Sequence, residues 1–139
     1  MVLKEIRIPE QKILDDQVFP LVMAPESDDI TKEQILEYIK THRDEMSDLM
    51  LKYGAIVYRI PIFTTAADFS DFILAFDLEE LPYVGGAAPR TVVCPRVFTT
   101  NESPPEMKIP FHHEMAQTPN PPTRVFFWCE TPPKSGGQT

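Results

Sequence analysis

Two side chains with metal-binding chemistry stand two positions apart in the segment Ile109–Met115, IPFHHEM: the imidazole of His112 and the carboxylate of Glu114. The segment reads as a strand, and alternate residues of a strand leave from one face, so the two groups are expected to converge on one ion. His113 then leaves from the other face and reads as a packing or supporting residue, not a ligand. A site of two histidines and one carboxylate suits iron(II), because three protein ligands leave three positions for a chelating cosubstrate and dioxygen. Two of those three ligand types are in this segment. His-x-Glu is a short pattern, however, and a strand with a surface glutamate and a hydrogen-bonded histidine satisfies it too. A zinc hydrolase site of His112, Glu114 and Cys129 is a further alternative, weakened because Cys129 sits in a different apolar run and no general base is evident.

The elements that must position these residues follow from periodicity. Residues 1–29 mix short apolar pieces with Pro9, Pro20 and Pro25, which reads as an ordered, extended lead-in. From Thr31, Ile35, Ile39, His42, Met46, Leu49 or Met50, and Tyr53 recur at steps of three and four. With Thr31 and Gln34 placed as a capping box and Gly54 as the stop, this predicts one amphipathic helix, with His42 in a core or boundary position. The run Ala55–Ile60, closed by Pro61, predicts a mostly buried strand. Thr65 and Asp68 suit the start of a second helix, whose Phe69, Phe72, Ile73 and Phe76 form one aromatic face of the kind that packs into a core.

After Leu81 the texture changes. Eleven of the fifteen prolines lie between Pro82 and Pro133, interleaved with apolar runs at Val92–Phe98, Ile109–Met115 and Val125–Cys129 that read as strands. Helices first and strands afterwards predict an α+β layout. The turn carrying Gly85, Gly86 and Arg90 has the composition of a substrate-side loop, since such loops set specificity on a rigid scaffold; a solvated turn with one surface arginine fits the same residues.

With 139 residues the chain is long enough for one core, which predicts a single domain. The formal net charge is −8, and no cluster of Lys and Arg could neutralise successive phosphates or an anionic membrane. Nucleic acid and membrane are therefore not expected partners; a small-molecule substrate is. Cys94 and Cys129 sit in apolar stretches outside any C-x-x-C pair and read as buried, reduced thiols of an intracellular protein. Charges among the first seven residues argue against a secretory signal, so a soluble, cytoplasmic protein is expected. Nothing in the sequence specifies an oligomeric state.

Four stretches together resemble a known family. Glu80–Thr91 (ELPYVGGAAPRT), Phe98–Pro105 (FTTNESPP), Ile109–Gln117 (IPFHHEMAQ) and Phe126–Thr139 (FFWCETPPKSGGQT) resemble, in order and spacing, the clavaminate synthase-like branch of the taurine dioxygenase (TauD/TfdA) family, most closely its plant-type members. The likeness runs from about Gly54 to the last residue. It implies an oxygenase dependent on iron(II), 2-oxoglutarate and dioxygen, in which His112 and Glu114 are iron ligands, Glu114 standing where aspartate is commoner. It also implies that the Thr139 hydroxyl contacts the distal carboxylate of 2-oxoglutarate beside a tight turn at Gly136 and Gly137, and that Asn101 faces cosubstrate or substrate. Asn101 is an ordinary turn residue as well.

The family fold is a double-stranded β-helix, or jelly roll, and its second iron-binding histidine and its cosubstrate arginine lie well downstream of the Gly-Gly-x-Thr turn. The resemblance thus implies that residues 1–139 form the N-terminal portion of one such domain. In this reading 31–80 supplies helix, strand and helix, and 81–139 begins a barrel left incomplete in this chain. A half barrel with unpaired edges is expected to be marginally stable by itself. The alternative reading is a catalytically inactive product that acts at most as a metal- or partner-binding module.

Overall fold

The computed structural model describes residues 1–81, 89–100, 102, 104 and 106–135. The chain divides into two compact units, Met1–Thr64 with Leu74–Asp77, and Thr65–Ile73 with Leu78–Thr139.

In the first unit the lead-in is strand. β1 (Leu3–Glu5) pairs antiparallel with β4 (Leu21–Pro25), and between them β2 (Lys12–Leu14) and β3 (Gln17–Phe19) form a separate hairpin. Asp15 and Asp16, at φ 48° and 62°, supply the left-handed pair that a two-residue hairpin turn requires. The expected order of helices before strands is therefore corrected: four strands precede the first helix. Each is only three to five residues long, too short to show a period before its partner is known.

The predicted long helix is two. α1 spans Lys32–Thr41 and α2 spans Arg43–Tyr53, with His42 between them at φ −121°. The side chains at the break bond back to the preceding turn. Thr41 Oγ1 donates to the Glu37 and Tyr38 carbonyls, at 2.9 and 3.1 Å, and His42 Nδ1 lies 2.9 Å from the Tyr38 carbonyl. Such bonds compete with the helical ladder. The expected ends are in place: Thr31 and Gln34 close a reciprocal capping box, and Gly54 caps α2 at φ 74°, a conformation that favours glycine.

β5 (Ile56–Tyr58), shorter and only half-buried against the expected strand, pairs parallel with β4 to complete a sheet of order β1-β4-β5. The core of this unit comprises Leu3, Leu21, Val22, Ile35, Ile39 and Met46. Each such side chain removed from water contributes about 1.5–3 kcal/mol before entropy is charged.

α3 (Ala66–Ala75) starts where predicted. The Thr65 amide donates to Asp68 Oδ2 at 2.9 Å and the Asp68 amide donates to Thr65 Oγ1 at 3.1 Å. Beyond its last turn, Arg43 donates to the Ala75 carbonyl at 2.8 Å and meets Asp77 Oδ2 at 3.2 Å, placing a cation where a helix C-terminus favours one.

The second unit is built on the hairpin of β6 (Val92–Cys94) and β7 (Val97–Phe98). Ser70 Oγ donates to the Pro95 carbonyl and Cys94 Sγ to the Ala66 carbonyl, so α3 is bonded to the end of β6 and to the start of the hairpin turn. Trp128 stacks on Phe69 with ring centroids 5.9 Å apart.

Ile109–Met115 and Val125–Cys129 are not strands, contrary to expectation. The first is irregular to His113 and enters turns at Glu114, closed by Ala116 N to His113 O and Thr118 N to Met115 O, after an earlier turn closed by Met107 N to Pro104 O. Proline explains part of this, because Pro104, Pro110, Pro119, Pro121 and Pro122 each remove a ladder donor. The protein is thus a mixed α/β chain with several small sheets, of three, two and two strands, and none closes into a barrel among the described residues. No described helix is long and apolar enough to cross a membrane.

Candidate functional site

His112 is exposed, and its Nδ1 lies 2.8 Å from the Pro110 carbonyl oxygen. A carbonyl only accepts, so Nδ1 carries the proton in this contact, and in the neutral ring Nε2 then has the lone pair. Metal-binding histidines are commonly held this way, with the second nitrogen donating to a backbone carbonyl. Glu114 is more sheltered, and its Oε1 accepts from Arg90 Nη2 at 2.7 Å. The next residue, Met115, is buried at φ 52°, which anchors a chain reversal directly after the carboxylate.

The reason expected for convergence of the two donors is corrected, because the segment belongs to no strand and no sheet alternation sets their directions. His113 is exposed and does not pack, again contrary to expectation; its carbonyl closes the turn to Ala116. Among the described residues no group of three His, Cys, Asp or Glu side chains is close enough to hold a metal. In type, tautomer and support, the two donors present nevertheless fit an iron(II) site. Cys129 is exposed and Cys94 half-buried, which corrects the reading of two buried thiols, and Cys129 forms no ligand cluster with His112 and Glu114 among the described residues. His42 is a half-buried boundary residue, as expected, stacked on Tyr38 at 4.0 Å.

Thr139, Asn101, Gly85 and Gly86, with Gly136 and Gly137, lie outside the described residues. Glu102 Oε1 accepts from the Thr91 and Thr99 hydroxyls at 2.6 and 2.8 Å, and these bonds hold its carboxyl below the usual carboxylate range. This clasp joins the entry of β6 to the exit of β7, with the Thr99 amide donating to the Thr91 carbonyl at 2.9 Å. Sequence reasoning missed the clasp, and only the hairpin register brings Thr91 and Thr99 together. It also missed the Arg90–Glu114 pair, for which no local spacing gives a signal.

A model of the taurine catabolism dioxygenase TauD, TfdA family matches residues 17–139. The chain belongs to that family. The TauD, TfdA match begins well before Gly54, so the likeness covers β3, β4, α1, α2 and β5 of the first unit and extends the range expected from motifs. The chain is 46% identical over 144 aligned residues to a clavaminate synthase-like protein of Arabidopsis thaliana, an alignment covering 100% of this chain and 44% of that protein. It therefore spans less than half the length of this relative. Both findings support the clavaminate synthase-like branch of the TauD, TfdA family.

Proposed function

We propose that the protein is an oxygenase dependent on iron(II) and 2-oxoglutarate that oxidises a small molecule, and that its complete domain is a jelly roll. The observation that carries this reading is His112, in a TauD, TfdA family member, held with Nδ1 against a carbonyl two residues before a carboxylate, which leaves Nε2 as the ring nitrogen for a metal. His112 and Glu114 would hold the iron. When bound, iron(II) with 2-oxoglutarate supplies the activation of dioxygen needed to hydroxylate an unactivated C–H bond, with succinate and carbon dioxide as co-products. Thr139 and Asn101 would receive the cosubstrate, and the Gly85–Gly86 turn would face the substrate.

The chain's own contribution is positioning. The Pro110 carbonyl fixes the His112 tautomer, and the ordered turns after Met115 hold the segment without a sheet. A second reading, a metal-binding module without turnover, is favoured by the absence of a three-ligand cluster among the described residues. Anaerobic addition of iron(II) and 2-oxoglutarate to the complete domain tests the first reading. A visible charge-transfer band is expected, with iron-dependent succinate formation on admitting air, and both are expected to vanish in His112→Ala. Metal binding with no succinate would favour the second reading.

A further inference from the structure

We infer that Arg90 is a positioning residue for Glu114: it fixes one carboxylate oxygen so that the other is presented to the metal. The inference rests on the proposed metal-binding reading of His112 and Glu114 and goes beyond it, because it moves Arg90 from the substrate side to the ligand's support.

The pair differs from the other ion pairs of the described residues. Its side chains are only 19% and 21% exposed and its atoms are 2.7 Å apart. Elsewhere, Lys4–Glu26, Arg7–Glu5, Arg43–Asp77 and Arg96–Glu80 span 3.1–3.9 Å, and each has at least one partner more than 40% exposed. Pairs of that kind are screened by water and fix little. A short charge-assisted bond in a sheltered place does fix a side chain, and it is stronger than a neutral one.

The bond runs from one guanidinium nitrogen, Nη2, to one oxygen, Oε1. Oε2 takes no part in that bond, and in this proposal it is the oxygen that meets the cation. The buried Met115 and its reversed backbone hold Glu114 from the chain side, and Arg90 holds it from the carboxylate end. Glutamate has one more rotatable bond than aspartate, so a ligand of this length loses more freedom on binding unless it is held beforehand. Arg90 offsets that loss. A cation beside a metal also repels it, and the two effects predict opposite changes when Arg90 is removed.

Direct titration of the full chain with cobalt(II), followed by calorimetry and visible absorption, decides between them. Removing a hydrogen bond that orients a ligand costs about 10–100-fold in metal affinity, so Arg90→Ala is expected to bind cobalt(II) at least about tenfold more weakly, with a changed absorption band. Arg90→Lys keeps a charged donor for a single-oxygen bond and is expected to restore most of the loss. Should Arg90→Ala not fold, Arg90→Gln, which keeps a shorter neutral donor, is expected to show a smaller loss in the same direction. Affinity in the folded variant equal to or tighter than native, while His112→Ala still loses cobalt(II), would overturn the role of Arg90 and leave the metal site standing. A native chain that binds no cobalt(II), or binds it as well in His112→Ala, would overturn both.

Discussion

Ser70, the one buried polar residue among the described residues, donates its hydroxyl proton to the Pro95 carbonyl oxygen at 2.7 Å, bonding the middle of α3 to the turn between β6 and β7. The carbonyl sits in a hairpin turn, where no ladder partner replaces the serine. Ser70→Ala leaves this acceptor without its hydroxyl and is expected to cost about 1–2 kcal/mol. Urea unfolding followed by tryptophan fluorescence reads the change, because Trp128 stacks on Phe69 of the same helix.

The first helix depends on its cap. Thr31 Oγ1 accepts from the Gln34 amide at 3.3 Å, and Gln34 Oε1 accepts from the Thr31 amide at 2.8 Å. Thr31→Ala is expected to cost about 1 kcal/mol and Thr31→Ser almost nothing. Equal midpoints for all three proteins in denaturant would count against the cap.

Core substitutions in the first unit are expected to be costly and selective. Ile39 is 0% exposed and Leu51 is 79% exposed. Ile39→Ala is expected to cost about 2–5 kcal/mol, whereas Leu51→Ala should stay within about 0.5 kcal/mol. Comparable losses in the two variants would mean that the core has been misplaced.

The clasp on Glu102 predicts a pH dependence with a definite sign. Hydrogen bonds from Thr91 and then Thr99 lower its folded pKa below the unfolded one. Its contribution is therefore present above the unfolded carboxylate pKa and is lost as pH falls through the folded one. NMR titration of the Glu102 carboxyl carbon is expected to give a midpoint below that of an ordinary glutamate, rising in Thr91→Val and, less steeply, in Thr99→Val. An unchanged midpoint in both variants would remove the clasp as the cause.

What could be read from sequence was local. Thr31 with Gln34, Gly54, and Thr65 with Asp68 act within one helical turn, so residue type and spacing suffice to place the start of α1, the end of α2 and the start of α3. The break at His42 was hidden because its residues continue the apolar spacing; only their back-bonding to Tyr38 and Glu37 marks it. The runs around Phe111 and Val125 carry strand-like composition, yet proline and turn bonds decide their course. Of the candidate site, His112 and Glu114 were legible as donors, but their settings were not. The Pro110 carbonyl lies two residues from His112 and Arg90 twenty-four from Glu114, and neither relation leaves a periodic trace.

Because Leu21 pairs with Ile56 and Met23 with Tyr58, the inner strand of the first sheet meets its parallel neighbour only across the whole intervening stretch that contains α1 and α2. During synthesis on the ribosome, β1 and β4 emerge and can zip together early, while the far side of β4 has nothing to receive it until both helices have left the exit tunnel. For that interval the nascent polypeptide carries an open hydrogen-bonding rim of the sort that recruits chaperones or a second nascent chain.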